Sequence, residues 1–316
     1  MKTVLVVVVS VCVSMLAWGN QVDGERWLDN MIAANRSLNY QGSFIYVRGS
    51  DVQTLKINHR IRNHKIQEKI WNINGERMEV IRLGDIQQCW HEKDSKVPLS
   101  HTLPAGPYSY IFAHHMGEML ENYVITVKGQ ERIAEHEAWH ISVTPKDNYR
   151  FGYRFWLERD TKLLLRSELV GKDGMPLDQF QYVNVTINPS FHDSDFSPTI
   201  RDGFSHQAFV TKQPDAVPNI SSGMWVLKWL PKGFLLRNAD SQTLESTKVD
   251  RLLYTDGMSS FTIYAELASA GMPEQKRHFG ATMVATVKKG DYMLTLVGEI
   301  PMETAMMILD NIHLKS

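Results

Sequence analysis

The chain has 316 residues, 43% of them hydrophobic, and a formal net charge of −1 at pH 7. This length accommodates two domains with cores of their own, and the composition is that of an ordinary globular protein rather than a disordered chain. Because nucleic-acid binding depends on a concentrated basic field, the balanced charge gives no reason to expect a nucleic-acid partner.

The first nineteen residues have the pattern of a secretory signal peptide. Lys2 precedes an apolar run, Val4–Ala17, and small residues at Ala17 and Gly19 stand at the −3 and −1 positions of a cleavage site. The run is shorter than the ~20 apolar residues that a membrane-spanning helix needs. We therefore predict that residues 1–19 are a cleavable signal peptide and that the mature protein is exported.

Removal of this segment leaves Cys89 as the only cysteine, so the exported protein forms no internal disulfide. Cys89 lies in a segment with strand character, Ile86–His91, where a buried free thiol is the expected state. The cores of the domains must therefore supply the stability.

The mature chain is predicted to begin with a short docking helix and to continue with strands. Trp27–Ala34 has apolar residues at helical spacing, and Ser43–Val47 has strand character. Leu55–Arg62 alternates apolar with basic side chains, which predicts one apolar face and one solvated cationic face. The pair Asn74 and Gly75 predicts a two-residue type I′ hairpin turn, because both central residues of that turn need positive φ.

Three consecutive amphipathic strands joined by two tight turns are the most informative part of the chain. They are predicted at Phe151–Leu157, Leu163–Val170 and Leu177–Ile187. Such a meander has an apolar concave face and a polar convex face. A helical stripe at 107–122 is expected to cover the open side of this sheet. The pattern favours a protein that holds a ligand over one that cleaves a substrate.

A change of composition divides the chain. Residues 191–222 are rich in Pro, Ser and Asp and are predicted to be an interdomain linker. Residues 223–316 show several strand signals and a final helix that begins at Pro301. We therefore predict a large domain at 20–190 and a small domain at 223–316.

His136–His140 matches the H-E-x-x-H pattern of zinc peptidases. On a helix the two imidazoles would lie about 6 Å apart on one face, whereas on a strand they are about 13 Å apart. Trp139, Ile141 and Val143 alternate with polar residues, which predicts a strand entered from a solvated turn. We therefore predict that there is no zinc site.

Several segments together resemble the RseB/MucB family of periplasmic sigma-E regulators. Their order and spacing along the mature chain are more specific than any one of them. They are Leu38–Tyr46, Phe155–Leu157, Leu163–Leu169, Leu177–Phe180, Trp229–Phe234, Leu253–Met258 and Val297–Pro301.

This resemblance implies an α+β fold with a large N-terminal half-open antiparallel β-barrel, covered by helices and similar to lipoprotein carriers, and a smaller C-terminal α+β domain. It also implies a periplasmic, non-catalytic protein without cofactor that binds the periplasmic segment of a membrane-bound anti-sigma factor. The protein would shield that segment from site-1 proteolysis, and lipopolysaccharide or lipoprotein acyl chains would relieve the shielding. A homo-oligomer is left open.

Two sets of aromatic residues are the candidate sites. The candidates for a lipid pocket in the large domain are Phe44, Tyr46, Trp71, Phe155 and Phe180, and those for the partner surface are Tyr254, Phe261 and Tyr264. A lipid or lipoprotein carrier is the alternative hypothesis, since it would share the pocket and need no small domain. A zinc peptidase is the less favoured alternative.

Overall fold

Alternation of apolar and polar side chains gives this chain a fold that is mostly β-structure. The structure, a computed structural model, describes residues 26–92, 121–199, 204–210, 225–244, 247–269 and 271–314. The predicted signal peptide and almost all of the helix predicted at 107–122 lie outside these residues. Within the described parts of the chain, no helix is long and apolar enough to cross a membrane.

The N-terminal part folds as one helix, α1 at 26–37, and one large antiparallel sheet. The strands of this sheet are β1 Tyr40–Arg48, β2 Asp51–Arg62, β3 Lys65–Asn72, β4 Met78–Leu83, β5 Ile86–Glu92, β6 Tyr123–Ile133, β7 His136–Pro145, β8 Gly152–Glu158, β9 Leu164–Val170, β10 Pro176–Ile187 and β11 Phe204–Val210. Their order is β11-β5-β4-β3-β2-β1-β10-β9-β8-β7-β6, so the sheet is open, with β11 and β6 at its edges. The predicted meander is confirmed as β8, β9 and β10.

Two hairpins of this sheet have a two-residue turn with positive φ, but neither is at the predicted position, Asn74–Gly75. Asn63 and His64, with φ of 52° and 59°, join β2 to β3, and another such pair joins β6 to β7. The prediction of a type I′ turn at Asn74–Gly75 is wrong, because five residues separate β3 from β4 and only Gly75 among them has positive φ. The side chain of Asn72 closes this longer loop, donating to Asn74 O at 2.9 Å and accepting from Met78 N at 2.8 Å.

One face of the large sheet, here called the inner face, carries the core. Helix α1 packs on it with Leu28 and Met31, which are 0% and 3% exposed. The ring of Trp27 lies 5.4 Å from that of Trp139. The predicted docking helix is thus confirmed.

The segment predicted as a linker is in part structured. A short 3-10 helix, Asp193–Phe196, lies over β2 and β3, with the Arg60 guanidinium 4.4 Å from the centre of the Phe196 ring. Asp193 accepts from Arg60 at 2.5 Å. Lys69 donates to Ser197 O at 2.8 Å. The prediction of a solvated cationic face is therefore wrong at Arg60, which is only 9% exposed.

The C-terminal part forms a six-stranded antiparallel sheet, a two-stranded sheet and helix α2 Met302–Asp310. The strands of both sheets are β12 Trp225–Leu227, β13 Leu235–Leu244, β14 Thr247–Thr255, β15 Ser260–Leu267, β16 Gln275–Phe279, β17 Thr282–Lys289, β18 Tyr292–Gly298 and β19 Ile312–Leu314. The order of the six strands is β13-β14-β15-β18-β17-β16. Helix α2 buries Ala305, Ile308 and Leu309 against this sheet, and each is 0% exposed.

Candidate functional site

Four of the five predicted pocket residues share the inner face of the large sheet. Tyr46 pairs with Phe180 across β1 and β10, and Phe180 and Phe155 both pair with Ser167 of β9. Phe44 follows the same alternation along β1. The rings of Phe44 and Phe180 lie 5.0 Å apart.

These aromatic side chains form a packed core rather than an open trough in this structure. Phe44, Phe155 and Phe180 are 4%, 0% and 1% exposed, and Tyr182 contacts two of them at ring distances of 5.0 and 6.0 Å. Tyr46 is partly buried against this cluster. An acyl chain would therefore have to part these rings, and their role as a lipid pocket stays a prediction.

The fifth predicted residue, Trp71, lies on the opposite face of the sheet. Trp71 pairs with Lys56 and Glu79, whereas its neighbour Asn72 pairs with Leu55, which itself pairs with Phe44. Side chains alternate between faces along a strand, so the grouping of Trp71 with the four inner-face residues is corrected.

The inner face also buries polar groups that sequence reasoning missed. His59 stacks on Tyr40 with ring centres 4.4 Å apart, and its Nδ1 lies 3.2 Å from Leu38 O. Burial lowers the pKa of His59 to about 4 and raises the pKa of Glu68 to about 7. In the alternating patterns of β2 and β3, His59 and Glu68 stand at positions where apolar residues are expected. These two polar residues on an apolar face were the signal in the sequence.

The H-E-x-x-H segment is a strand, as predicted. His136 begins β7 and donates toward Val185 O, with 3.3 Å between the nitrogen and the oxygen. His140 contacts Glu131 at 3.3 Å and stacks on Trp156 at 4.4 Å. The two imidazoles thus have separate partners. No group of three or more potential metal ligands occurs in the part of the chain that the structure describes.

The three predicted partner residues separate onto two faces of the small sheet. Tyr254 and Phe261 stack at 5.2 Å within the small-domain core and are 8% and 1% exposed. Tyr264 is half-buried on the other face, where it pairs with Arg251 and Thr295. Of the three, only Tyr264 is placed where a partner could contact it without disturbing the core.

A buried ion pair joins the two domains, and no sequence motif indicated it. The side chains of Arg150, in the loop after β7, and Asp256, after β14, are both 0% exposed and pair through Nη1 and Oδ2. Tyr123 donates to Asp256 Oδ2 at 2.9 Å. Arg150 also donates to Asp147 Oδ2 at 3.0 Å and to Lys232 O at 2.6 Å. Burial raises the pKa of Asp256, against the opposing effect of Arg150.

The turn that carries Asp256 is shaped to receive these groups. Asp256 Oδ1 accepts from Met258 N at 2.9 Å and from Ser259 N at 2.8 Å. The Tyr153 hydroxyl donates to Met258 O at 3.0 Å. Met258 is 0% exposed and belongs to the core of the large domain. The turn that carries Asp256 is therefore packed into the core of the large domain.

A second polar contact joins the two domains. Asp178 Oδ1 accepts from Ala281 N at 3.1 Å, and its Oδ2 lies 3.9 Å from Arg48 Nε. Gly280 has φ of 57°, and a Cβ there would lie 1.9 Å from Asp178 Oδ1, so only glycine fits. Burial, and then Asp178, raise the pKa of Glu299 to about 7. We call the two contacts together the domain junction.

A cleft of about 310 Å³ adjoins the domain junction, between the loop after β7 and the turn between β9 and β10. Three of its lining residues reach the small domain, namely Arg150, Tyr153 and Lys172, whose Nζ lies 3.9 Å from Glu303 Oε2. The lining residues are Ser142, Val143, Thr144, Pro145, Asp147, Asn148, Arg150, Gly152, Tyr153, Arg154, Val170, Gly171, Lys172 and Gly174.

Comparison with known proteins relates both domains to one family. This chain is 27% identical over 291 residues to the sigma factor AlgU regulatory protein MucB of Pseudomonas aeruginosa, covering 90% of this chain and 88% of that protein. It is 25% identical over 293 residues to the sigma-E factor regulatory protein RseB of Escherichia coli K12, covering 90% and 89%.

The solved structure of MucB in complex with MucA(peri) has the same fold, with a TM-score of 0.74, 24% identity, and coverage of 93% of this chain and 100% of that one. Two family profiles match in order: the MucB/RseB N-terminal domain at residues 23–200 and the MucB/RseB C-terminal domain at residues 219–313. Together they span most of the chain, which therefore belongs to the MucB/RseB family.

Proposed function

We propose that this protein is a periplasmic, non-catalytic negative regulator of a sigma-E-type envelope stress response. It binds the periplasmic part of a membrane-bound anti-sigma factor and shields it from site-1 proteolysis until a lipid signal releases it. The observation that carries this proposal is the match of both family profiles, in order, over residues 23–200 and 219–313. Relatives with the same two domains are named as sigma factor regulators, and one was solved in complex with MucA(peri).

The large domain supplies the lipid-responsive part of this proposal. In this proposal the open eleven-stranded sheet acts as a half-open barrel, and helices cover its mouth. Helix α1, which contributes Leu28 and Met31 to the core, is one of these helices. An acyl chain that enters between Phe44 and Phe180 gains contact with an apolar, aromatic face. The cost is the parting of rings that are packed in the free protein.

The domain junction supplies the coupling between lipid and partner. A ligand shifts a conformational equilibrium only by its differential affinity for the two states. Tyr46 and Phe180 lie on the strands that carry Arg48 and Asp178 of the junction. Displacing those rings therefore acts on the contact between Asp178 and Ala281, and through it on the position of the small domain.

The direct test is capture of a partner. The full mature protein is immobilised and presented with the periplasm-facing segments of inner-membrane proteins of its own cell, with and without lipopolysaccharide. The expected result is retention of one anti-sigma segment and its loss when lipopolysaccharide is present. Retention of no such segment contradicts the proposal even though the family assignment stands.

A lipid or lipoprotein carrier remains the second candidate, favoured by the aromatic inner face alone. Deleting the small domain would be a poor test, because it leaves Arg150 and Tyr123 without their partner Asp256 in the large domain. A surface change at Tyr264 is cleaner. A carrier keeps its lipid transfer after Tyr264→Ala, and a regulator loses partner capture.

A further inference from the structure

A group of buried polar side chains adjoins the aromatic core on the inner face of the large sheet. We call it the inner polar cluster, and its members are Tyr40, His59, Glu68 and Tyr182, which are 2%, 0%, 5% and 2% exposed. Tyr40 pairs with His59 across β1 and β2, and His59 pairs with Glu68 across β2 and β3. The rings of Tyr40 and Tyr182 meet edge to face at 6.4 Å. Four neighbouring strands, β3, β2, β1 and β10, thus place these groups together on one face.

Two acceptors of the inner polar cluster receive no hydrogen bond. His59 Nδ1 lies 3.2 Å from Leu38 O, and a carbonyl can only accept, so Nδ1 carries the proton of the neutral ring and Nε2 is left as an acceptor. Nε2 is buried, and no group in the described part of the chain donates to it. The Glu68 carboxyl group has no hydrogen bond among the described residues either. Arg82, its neighbour across β3 and β4, donates to Gly84 O at 3.2 Å instead.

The two tyrosine hydroxyls lie near the same carboxyl group. Burial raises the pKa of Tyr40 and of Tyr182, and the charge of Glu68 adds to the rise in both. No hydrogen bond joins either hydroxyl to Glu68 within the described ranges of the chain. A ligand that reaches Glu68 is therefore also within reach of both hydroxyls, each of which can donate and accept.

The chemistry of these groups selects a neutral hydrogen-bond donor. Glu68 and Arg82 are neighbours of opposite charge, so this part of the inner face has no net charge to attract an ion. A phosphate or carboxylate would bring further acceptors to a place that already has two without a donor. Buried acceptors left unpaired are costly, and native structures normally satisfy them. Hydroxyl and amide N–H groups supply what Glu68 and His59 lack.

The inner polar cluster continues directly into the aromatic core. The ring of Tyr182 lies 6.0 Å from that of Phe44 and 5.0 Å from that of Phe180, while its hydroxyl belongs to the polar group. Ligand sites commonly combine an apolar lining with a few polar groups that fix orientation. A molecule with an alkyl chain at one end and uncharged donors at the other matches both parts of this face.

We propose that the inner polar cluster binds the hydroxyl or amide donors of a lipid head group, while the acyl chain lies against Phe44 and Phe180. This deepens the lipid response of the function proposed above and rests on it for the role of the lipid as a signal. The feature of the lipid that is recognised here is then the uncharged, donor-bearing part of its head group and not a phosphate.

The test compares two probes that share one alkyl chain and differ in their donors. The full mature protein is titrated with 1-O-decylglycerol, which carries free hydroxyls, and with its di-O-methyl ether, which carries none, both below their critical micelle concentrations. The titration is done at pH 8, because the pKa of Glu68 is about 7 and the carboxylate is then ionised. Calorimetry is expected to show about tenfold tighter binding of decylglycerol, and NMR to show shifts of the amides of His59 and Glu68.

Two variants separate the hydrogen bonds from the packing. Tyr182→Phe removes a hydroxyl and keeps the ring, and is expected to reduce the preference for decylglycerol about threefold. Glu68→Leu removes the carboxylate and is expected to abolish most of the preference. Tyr149→Phe is the matched control, because it removes a hydroxyl from a half-buried tyrosine in the loop between β7 and β8, away from the sheet. Since Tyr182→Phe keeps the core packed, the test stands even where Glu68→Leu does not fold.

Absence of binding by either probe, equal affinities for the two, amide shifts that spare β2 and β3, or an unchanged preference in Tyr182→Phe would each overturn the proposal. The result is separate from that of partner capture. If lipopolysaccharide releases a captured anti-sigma segment while the two probes bind alike, the head-group inference fails and the regulator function stands. If decylglycerol shows the expected preference and no anti-sigma segment is retained, the regulator function fails and the inner polar cluster remains a head-group site.

Discussion

Replacing Asp256 by alanine is expected to uncouple the two domains. The Asp256 side chain is 0% exposed and accepts hydrogen bonds from Arg150, Tyr123, Met258 and Ser259. The change leaves a buried guanidinium without its main counter-charge and a buried hydroxyl without an acceptor. Breaking a buried ion pair by removing one partner typically costs about 3–5 kcal/mol.

The lower end of that range applies here, about 3 kcal/mol, because Asp147 still accepts from Arg150 in the variant. The matched control is Asp240→Ala. Asp240 also pairs with an arginine of the small domain, Arg251, but their side chains are 31% and 38% exposed. This pair is partly exposed rather than buried, and ion pairs at the protein surface typically contribute about 0–1 kcal/mol.

The assay is urea unfolding followed by tryptophan fluorescence. The native protein is expected to unfold with its domains coupled, and Asp256→Ala to show a separate, earlier transition of the small domain, which carries Trp225 and Trp229. Asp240→Ala should keep the native profile. If the two variants lose the same stability and unfold alike, the junction does not hold the domains together and the coupling argument is refuted.

Other changes test single parts of the account. The pKa of Glu299, raised to about 7, lies above its ordinary value, so its ionised form is penalised above pH 7 and the penalty fades as pH falls toward 4.5. The native protein should therefore gain up to about 3 kcal/mol relative to Glu299→Gln between pH 8 and pH 5 in urea unfolding, and a constant difference would contradict the assignment. Phe180→Ala should lower the free energy of unfolding by about 3–5 kcal/mol in the same assay, and a loss below 1 would show that the ring is not packed. Tyr264→Ala should change stability by less than about 1 kcal/mol and reduce partner capture, whereas Phe261→Ala should unfold the small domain. His136→Ala should leave the metal content of the purified protein unchanged by mass spectrometry, and loss of stoichiometric zinc would restore the peptidase hypothesis.

The local patterns in the sequence were sufficient for the meander of β8, β9 and β10 and for the segment H-E-x-x-H, but not for β11, which lies in the segment predicted as a linker. Apolar and polar residues alternate along β7 and β8, which is the pattern of a strand with one buried face. Pro145 indicated where β7 ends. The same reasoning assigned Cys89 to a strand as a buried thiol, and the structure confirms both.

Strand register and tertiary contacts could not be predicted from local sequence patterns. Trp71 is one residue away from an inner-face position, and only strand pairing decides its side of the sheet. Asp193 and Phe196 lie in a stretch whose composition is that of a loop, but Arg60 holds them against the sheet. Composition alone carries no information about such a distant partner.

The domain junction shows the same limit. Asp256 lies in a Thr-Asp-Gly turn, where aspartate is common for local reasons, and Arg150 lies in a loop 106 residues earlier. Neither position is apolar or periodic, so no pattern predicts that both side chains are buried together. The pair could be found only once the two domains were seen in contact.

Protection from proteolysis is the most direct measurement of the central claim. The periplasmic segment that the mature protein captures is incubated with the site-1 protease, alone, with the protein, and with protein and lipopolysaccharide together. The protein is expected to slow cleavage, and lipopolysaccharide is expected to restore the rate. Cleavage at the same rate with and without the protein would contradict it.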